Sequence, residues 1–156
     1  MEHLAKECQF DLMVMGAGPL QGLLSSLSAT ARERVRYLGF KQREELPDYF
    51  TASDVLLFPS RYDGWGMTAV EAMAAGMPVI GSIHAGSCMD LISDGINGFL
   101  VNPFQPQELE ARMKYFITHP DEATAMGRLA RRKARLFDTG VGGQRFVQYV
   151  QNILKN

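Results

Sequence analysis

The sequence predicts an α/β protein built on a parallel β-sheet. Short apolar runs of strand length alternate with stretches of helical period in the first part of the chain. After the last apolar run the period changes, and helical patterns alone follow. The length of 156 residues is enough for one domain with a buried core. We therefore expect a single domain over residues 1–156, with an α/β core to about residue 138 and a C-terminal helix in residues 139–156.

Five apolar runs predict the strands of this sheet. The first run is followed by a turn that begins at Gly16, the second is closed by Gly39, and Asn102 ends the last. Each run is short and rich in aliphatic residues, as expected of a strand that is buried on both faces. In chain order the predicted strands are Asp11–Met15, Val35–Leu38, Asp54–Phe58, Met77–Gly81 and Gly98–Val101.

Helical patterns fall between these strands and after them. Asp121 opens one of the later helices, and several Arg and Lys residues crowd its end, where the helix dipole favours positive charge. A helix between the third and fourth strands carries Glu71. The other predicted helices are Leu20–Ala31, Glu44–Thr51, Pro106–Ile117, Asp121–Leu136 and Gly143–Leu154.

Composition and charge limit the class of protein. With 46% hydrophobic and 21% charged residues the chain has the composition of a soluble globular protein. Its formal net charge of −1 gives no reason to expect a nucleic-acid partner or an anionic membrane surface. Cys8 and Cys88 lack the spacing of metal ligands and indicate a reducing compartment. With no span-length apolar run and no signal-peptide pattern, we expect a cytoplasmic protein.

The stretch FPSRYDGWGMTAVEAMAAGMPVI predicts the functional site. It consists of a buried strand, a glycine-containing loop that carries Asp63, the helix that carries Glu71, and a second buried strand. Gly64 and Gly66 allow the backbone of the loop to approach a ligand closely, and the helix start offers free N–H groups to a phosphate. Two carboxylates stand beside this anion site, where they can accept hydrogen bonds from hydroxyl groups. The layout predicts a nucleotide-sugar site.

Five blocks of the sequence resemble a known family. MVMGAGPL, VRYLGF, ELPDYFTASDVLLFPS, EAMAAGMPVI and LISDGINGFLVNP occur in the order and spacing of the C-terminal, catalytic half of retaining glycosyltransferases of the GT-B fold, in family 4. The similarity extends from about Asp11 to Ala134. It implies a Rossmann-like, doubly wound parallel sheet that lacks the family's usual first strand and ends in C-terminal helices.

The resemblance also assigns roles to residues. Glu71 matches the second glutamate of the family's E-x7-E motif, which binds the ribose hydroxyls, and Asp63 matches the first, which lies near the donor sugar and has a proposed catalytic role. Backbone amides of the loop and helix start would bind the diphosphate and sugar hydroxyls, and the segment after the second strand would face the base. The implied donor-binding residues are Glu71, Gly64, Trp65, Gly66, Met67, Thr68, Phe40, Lys41 and Gly16.

Simpler interpretations of these residues stay open. Thr68 and Glu71 have the spacing of a capping box, in which Glu71 would only close the helix start. Asp63 stands before a glycine, as a turn-forming residue does, and its side chain is one methylene, roughly 1.5 Å, shorter than glutamate. The turn at Gly16 is an incomplete dinucleotide fingerprint, because the third glycine is at Gly22 instead of Gln21.

The missing first strand has consequences for the fold and for partners. In relatives that strand and the loop after it carry an Arg and a Lys that hold the diphosphate. Without it, Asp11–Met15 must pair with Asp54–Phe58, leave exposed edges, or borrow a strand from another copy. We therefore expect a homodimer through the exposed sheet edges, and an acceptor-binding N-terminal domain as the missing partner.

The predicted function is that of a donor-binding glycosyltransferase domain. The parent reaction would transfer a hexose from a UDP-, GDP- or ADP-sugar to a glycan or lipid-linked acceptor with retention of configuration. The resemblance implies no catalytic metal and no cofactor, and the isolated chain is expected to be inactive. The alternatives are a non-catalytic nucleotide-sugar-binding module and a remnant scaffold that binds nothing.

Overall fold

The computed structural model describes residues 2–154 and shows an α/β fold with open parallel sheets, as predicted. Residues 1, 155 and 156 of the predicted domain lie outside the described residues. The three strand pairings within residues 2–154 are all parallel. The strands are β1 (Leu12–Met15), β2 (Val35–Gly39), β3 (Leu56–Phe58), β4 (Val79–Ser82) and β5 (Gly98–Val101).

The helices surround the sheets and fill the C-terminal part of the chain. Two short 3₁₀ helices, Pro19–Ser26 and Arg135–Phe137, accompany them. Within residues 2–154, no helix is both long enough and apolar enough to span a membrane. The α-helices are α1 (Glu2–Glu7), α2 (Ala29–Glu33), α3 (Leu46–Thr51), α4 (Met67–Ala75), α5 (Gly86–Leu91), α6 (Pro106–Thr118), α7 (Pro120–Ala134) and α8 (Thr139–Ile153).

The predicted helix Leu20–Ala31 is wrong, because the chain breaks into two pieces there. The 3₁₀ helix Pro19–Ser26 is followed by Leu27, whose backbone is extended. Ser28 then caps a new helix, α2, by accepting a hydrogen bond from the Ala31 N–H at 3.2 Å. A serine side chain that satisfies the first amides of a helix sets its start, so the segment cannot continue as one helix.

The core lies on both faces of the β3–β4–β5 sheet. Val79 and Ile80 of β4 are fully buried and point to opposite faces, as alternation along a strand requires. Val79 packs in the cluster formed with α4, α5 and α7, whereas Ile80 packs with Phe99 of β5 and Phe116 of α6. Leu4 of α1, 1% exposed, completes this second cluster. The sheet is therefore covered by helices on both sides, as in doubly wound folds.

The first two strands form a separate sheet with an open edge. β1 pairs with β2 and β3 pairs with β4, and no ladder joins β1 to β3 within residues 2–154. Residues of β1 and β3 are only half-buried, whereas all of β4 is buried. The expected alternative in which the first strand pairs directly with the third is therefore wrong, and β1 and β3 each keep an unpaired edge among the described residues of this chain.

The parallel arrangement gathers the site loops at one edge. Because β3, β4 and β5 run in the same direction, the segments after Phe58, Ser82 and Val101 leave the sheet on the same side. Ligands of open α/β sheets bind beyond the carboxyl ends of the strands. The loop with the two glycines predicted to bind phosphate follows Phe58 and lies at this edge.

Candidate functional site

The loop of residues 63–66, between β3 and α4, is stabilised by hydrogen bonds of its first residue, Asp63. The Asp63 carboxylate accepts a hydrogen bond from the Trp65 N–H at 3.0 Å, so this aspartate does stabilise the turn. The Asp63 backbone also bonds to the segment after β4: its N–H donates to the His84 carbonyl at 3.1 Å, and its carbonyl accepts from the Gly86 N–H at 3.2 Å. The 63–66 loop is thus held against the neighbouring loop of the sheet.

Ser87 fixes the other end of the loop, a role that the sequence did not reveal. The buried Ser87 hydroxyl donates to the Gly66 carbonyl at 2.9 Å, and the Ser87 N–H donates to the Trp65 carbonyl at 2.7 Å. The partners are more than twenty residues apart in the chain, at a separation of 21 for the hydroxyl bond. Local patterns carry no signal of such a contact.

Gly66 is the position in this loop that requires glycine. It is the N-cap of α4 with φ +86°, in the left-handed region that side chains disfavour. A Cβ at this position would lie 2.7 Å from Cε1 of Phe58 and 3.2 Å from the Ser87 hydroxyl. The loop conformation therefore requires glycine at Gly66, because a side chain there would be strained and would overlap its neighbours. Gly64, by contrast, has open space around it.

The start of α4 presents free N–H groups. The backbone amides of Gly66, Met67 and Thr68 donate no hydrogen bond to another backbone group among the described residues. They lie at the positive end of a nine-residue helix, where anions are stabilised. Three consecutive amides of this kind form a site that suits a phosphate group.

The structure contradicts the capping-box interpretation of Glu71. The N-cap of α4 is Gly66, and no side chain among the described residues caps the helix. Thr68 is therefore inside the first turn, and within residues 2–154 the Glu71 carboxylate accepts no hydrogen bond. Glu71 is half-buried and lies four residues after Met67, so the two side chains share one face of α4, about one turn from its start. Its carboxylate is available to a ligand.

The predicted base-side residues lie on the other sheet. The Gly16 N–H donates to the Gly39 carbonyl at 2.9 Å, which joins the carboxyl ends of β1 and β2. Phe40 follows β2 and is 69% exposed. The Lys41 ammonium lies 5.2 Å from the ring centre of Tyr49, and a hydrogen bond with Tyr49 raises the pKa of Lys41. These three residues therefore form a group separate from the 63–66 loop.

Three further residues cluster at the carboxyl ends of β3, β4 and β5. The rings of His84 and Phe104 meet edge to face with centroids 5.7 Å apart, and the Arg61 guanidinium lies 5.7 Å from the Phe104 ring centre. Each residue follows a different strand, so only the sheet brings them together. Arg61 thus places a positive charge at the carboxyl ends of the strands. No sequence pattern predicted this position for it.

Cys88, in α5, carries a buried thiol. Burial raises the pKa of the Cys88 thiol to about 11, so the thiol is protonated at neutral pH. Within residues 2–154, no group of three His, Cys, Asp or Glu side chains is placed to hold a metal ion. What the site offers is backbone amides, two carboxylates and a nearby guanidinium.

Comparison with known proteins identifies related sequences and folds. Residues 1–133 match the family described as "Glycosyl transferases group 1". The chain is 34% identical over 110 residues to mannosylfructose-phosphate synthase of Agrobacterium fabrum, covering 70% of this chain and 24% of that protein. It is 35% identical over 124 residues to 2-deoxystreptamine glucosyltransferase of Streptomyces kanamyceticus, covering 78% of this chain and 32% of that protein.

Solved structures share the fold over almost the whole chain. Anabaena HepE, determined in complex with UDP, superposes with a TM-score of 0.81 at 25% identity, covering 97% of this chain and 44% of HepE. Sucrose-phosphate synthase from Thermosynechococcus elongatus gives a TM-score of 0.79 at 27% identity, covering 98% of this chain and 41% of the synthase. The chain therefore spans less than half the length of each of these proteins.

Proposed function

Because the chain belongs to the group 1 glycosyltransferases, we propose that it is the domain that binds the nucleotide-sugar donor in a retaining hexosyltransferase of the GT-B fold. The reaction transfers a hexose from a nucleoside diphosphate to a hydroxyl of a glycan or lipid-linked acceptor. Structures of HepE with UDP and with UDP-glucose support UDP as the first donor nucleotide to test. GDP and ADP are the alternatives.

The observation that carries this proposal is the group of free amides at the start of α4. The N–H groups of Gly66, Met67 and Thr68 bind the diphosphate, and the helix dipole stabilises its charge without a metal ion or a cofactor. As the diphosphate leaves, negative charge on it increases. Fixed N–H dipoles that need no reorganisation then stabilise the transition state more than the ground state.

Glu71 binds the ribose in this proposal. Its carboxylate can accept hydrogen bonds from two adjacent hydroxyls, and it lies on α4 about one turn after the phosphate-binding amides. Gly16, Phe40 and Lys41 form the base side of the site, at the carboxyl ends of β1 and β2. Exposed Phe40 offers an aromatic face for stacking, and Gly16 lets the backbone approach the nucleotide.

Asp63 acts on the donor sugar. One of its oxygens accepts from the Trp65 N–H, and the other remains for a sugar hydroxyl, next to Gly64 and Trp65 of the same loop. Because the loop is tied to His84 and Gly86, the shorter side chain is not offset by loop movement. A displacement of roughly 1 Å at a catalytic group reduces rates on the order of 100-fold. This restriction favours a second candidate function, a nucleotide-sugar-binding module with little or no transferase activity.

Two partners complete the proposal. The chain spans less than half of HepE, so we propose that a separate half binds the acceptor and closes over the donor site. We also propose a homodimer through the unpaired edges of β1 and β3, because half-buried apolar strands with open edges favour pairing with another strand.

Isothermal titration calorimetry with UDP, GDP and ADP tests the proposed donor site. We expect one nucleotide to bind, and Glu71→Gln to weaken that binding about 100-fold, because it removes charge-assisted hydrogen bonds to the ribose. Glu33→Gln is the matched control, since Glu33 is exposed on α2, away from α4, and its replacement should leave affinity unchanged. Absence of heat with all three nucleotides, from a folded sample, would contradict the proposal and favour a scaffold that binds no nucleotide.

A further inference from the structure

The charge of this chain is unevenly distributed. The sequence holds 16 basic and 17 acidic residues, which nearly cancel. The segment between Glu122 and Asp138 nevertheless contains no acidic residue. Its five cations stand on the second half of α7 and at the start of the following 3₁₀ helix: Arg128, Arg131, Arg132, Lys133 and Arg135. Within the described part of the chain none of the five forms an ion pair.

Part of this cluster lines an open depression with a volume of about 600 Å³. Exposed apolar side chains stand among its cations: Ile96 is 58% exposed, Leu136 is 47% exposed, and Phe137 next to it is 46% exposed. The residues that line it, called here the basic depression, are Ile96, Asn97, Leu129, Arg132, Lys133, Arg135 and Leu136.

We propose that the basic depression docks on a membrane surface that contains anionic lipids. The cations attract phosphate headgroups, and the exposed aliphatic side chains among them enter the boundary between headgroups and acyl chains. A soluble polyanion such as RNA would gain from the cations but would leave Ile96 and Leu136 in water. The combination of unpaired cations with exposed apolar groups therefore favours a lipid surface.

The position of the basic depression is compatible with donor binding. Asn97 immediately precedes β5, so the depression lies beside the amino end of that strand. The free amides of α4 lie at the carboxyl ends of the strands. Docking at one end of the sheet leaves the other end accessible. The net charge of −1 gave no reason to expect binding to an anionic membrane, because acidic residues elsewhere in the chain balance the cations of this cluster.

Co-sedimentation of the full chain with phosphatidylcholine vesicles, with and without phosphatidylglycerol, tests this inference. We expect binding only to the vesicles with phosphatidylglycerol, and release at high salt. A triple variant that replaces three cations of the depression with glutamine should bind about 100-fold more weakly, at roughly fivefold per cation. The substitutions are Arg132→Gln, Lys133→Gln and Arg135→Gln.

A matched control variant separates the depression from net charge. It removes three exposed cations outside the depression and changes the net charge equally: Lys6→Gln, Arg36→Gln and Arg43→Gln. We expect this variant to retain most of the binding. In addition, Leu136→Ser should reduce binding several-fold without a change of charge. Equal losses in the two triple variants, failure of the folded chain to sediment with anionic vesicles, or binding to single-stranded RNA alone would overturn the proposal.

Discussion

Gly127→Ala is expected to lower the free energy of unfolding by about 3 kcal/mol, a large effect for one methyl group. Gly127 lies where α7 crosses the end of α4, and a Cβ there would stand 2.0 Å from the Gly76 carbonyl oxygen and 3.2 Å from Cδ of Pro78. The nearest atom belongs to the backbone, so a rotamer change cannot relieve the overlap. The helices must separate, and the contacts of Ala130 and Met73 in the core loosen with them.

Urea unfolding followed by circular dichroism measures this effect, with Gly142→Ala as the matched control. Gly142 lies inside α8 with open space around its Cα, so alanine there should stabilise the chain by about 0.5–1 kcal/mol through helix propensity. The two variants add the same methyl group, but we expect opposite changes in the free energy of unfolding. Equal midpoints for both would show that α4 and α7 do not approach each other as closely as described.

Gly66→Ala is expected to weaken UDP binding about 100-fold, because it moves the amides that bind the diphosphate. Alanine at φ +86° carries a left-handed strain of about 1–2 kcal/mol, and its Cβ would overlap the Phe58 ring at 2.7 Å. Both problems are relieved if the residue leaves the left-handed region. The amides of Met67 and Thr68 then change direction.

Gly95→Ala provides the control that distinguishes strain from site geometry. Gly95 also has a positive φ of +72°, but it has open space around it and lies in the loop before β5. Both variants carry the left-handed strain, to which Gly66→Ala adds the overlap with Phe58, and calorimetry should show that only Gly66→Ala loses UDP affinity. If Gly95→Ala weakened binding as much as Gly66→Ala, general destabilisation would explain the effect and the amides would have no special role.

The sheet was predictable from sequence because its strands are continuous apolar runs. β4 is buried at every residue, and its run of aliphatic residues before Gly81 predicts that burial. Helix α5 was not predicted, because it has only six residues. It is stabilised by hydrogen bonds from Gly86 and Ser87 to the 63–66 loop, which is distant in sequence. Helix α1 was not predicted for a similar reason. It is stabilised by the burial of Leu4 against β4 and β5, which is a tertiary contact that the local sequence pattern does not show.

The sequence proposed residues for the site, but it could not give the geometry of the loop that carries them. The spacing of Thr68 and Glu71 indicated a capping box, yet the left-handed backbone of Gly66 starts the helix earlier and leaves Glu71 without that partner. The shape of a loop depends on its distant contacts, here Phe58 and Ser87, which no spacing rule contains. The distribution of charge was also not evident from the net charge, because the value of −1 averages over the cluster of cations on α7.

An NMR titration of the isotope-labelled chain with UDP observes the proposed phosphate site directly. We predict that the amide resonances of Gly66, Met67 and Thr68 shift on addition of UDP, because their N–H groups are free in the structure and bind the diphosphate. Uridine, which lacks the diphosphate, should leave these three resonances unchanged. Saturable UDP binding without any shift of the three amides would contradict the account, since it would place the diphosphate elsewhere than at the start of α4.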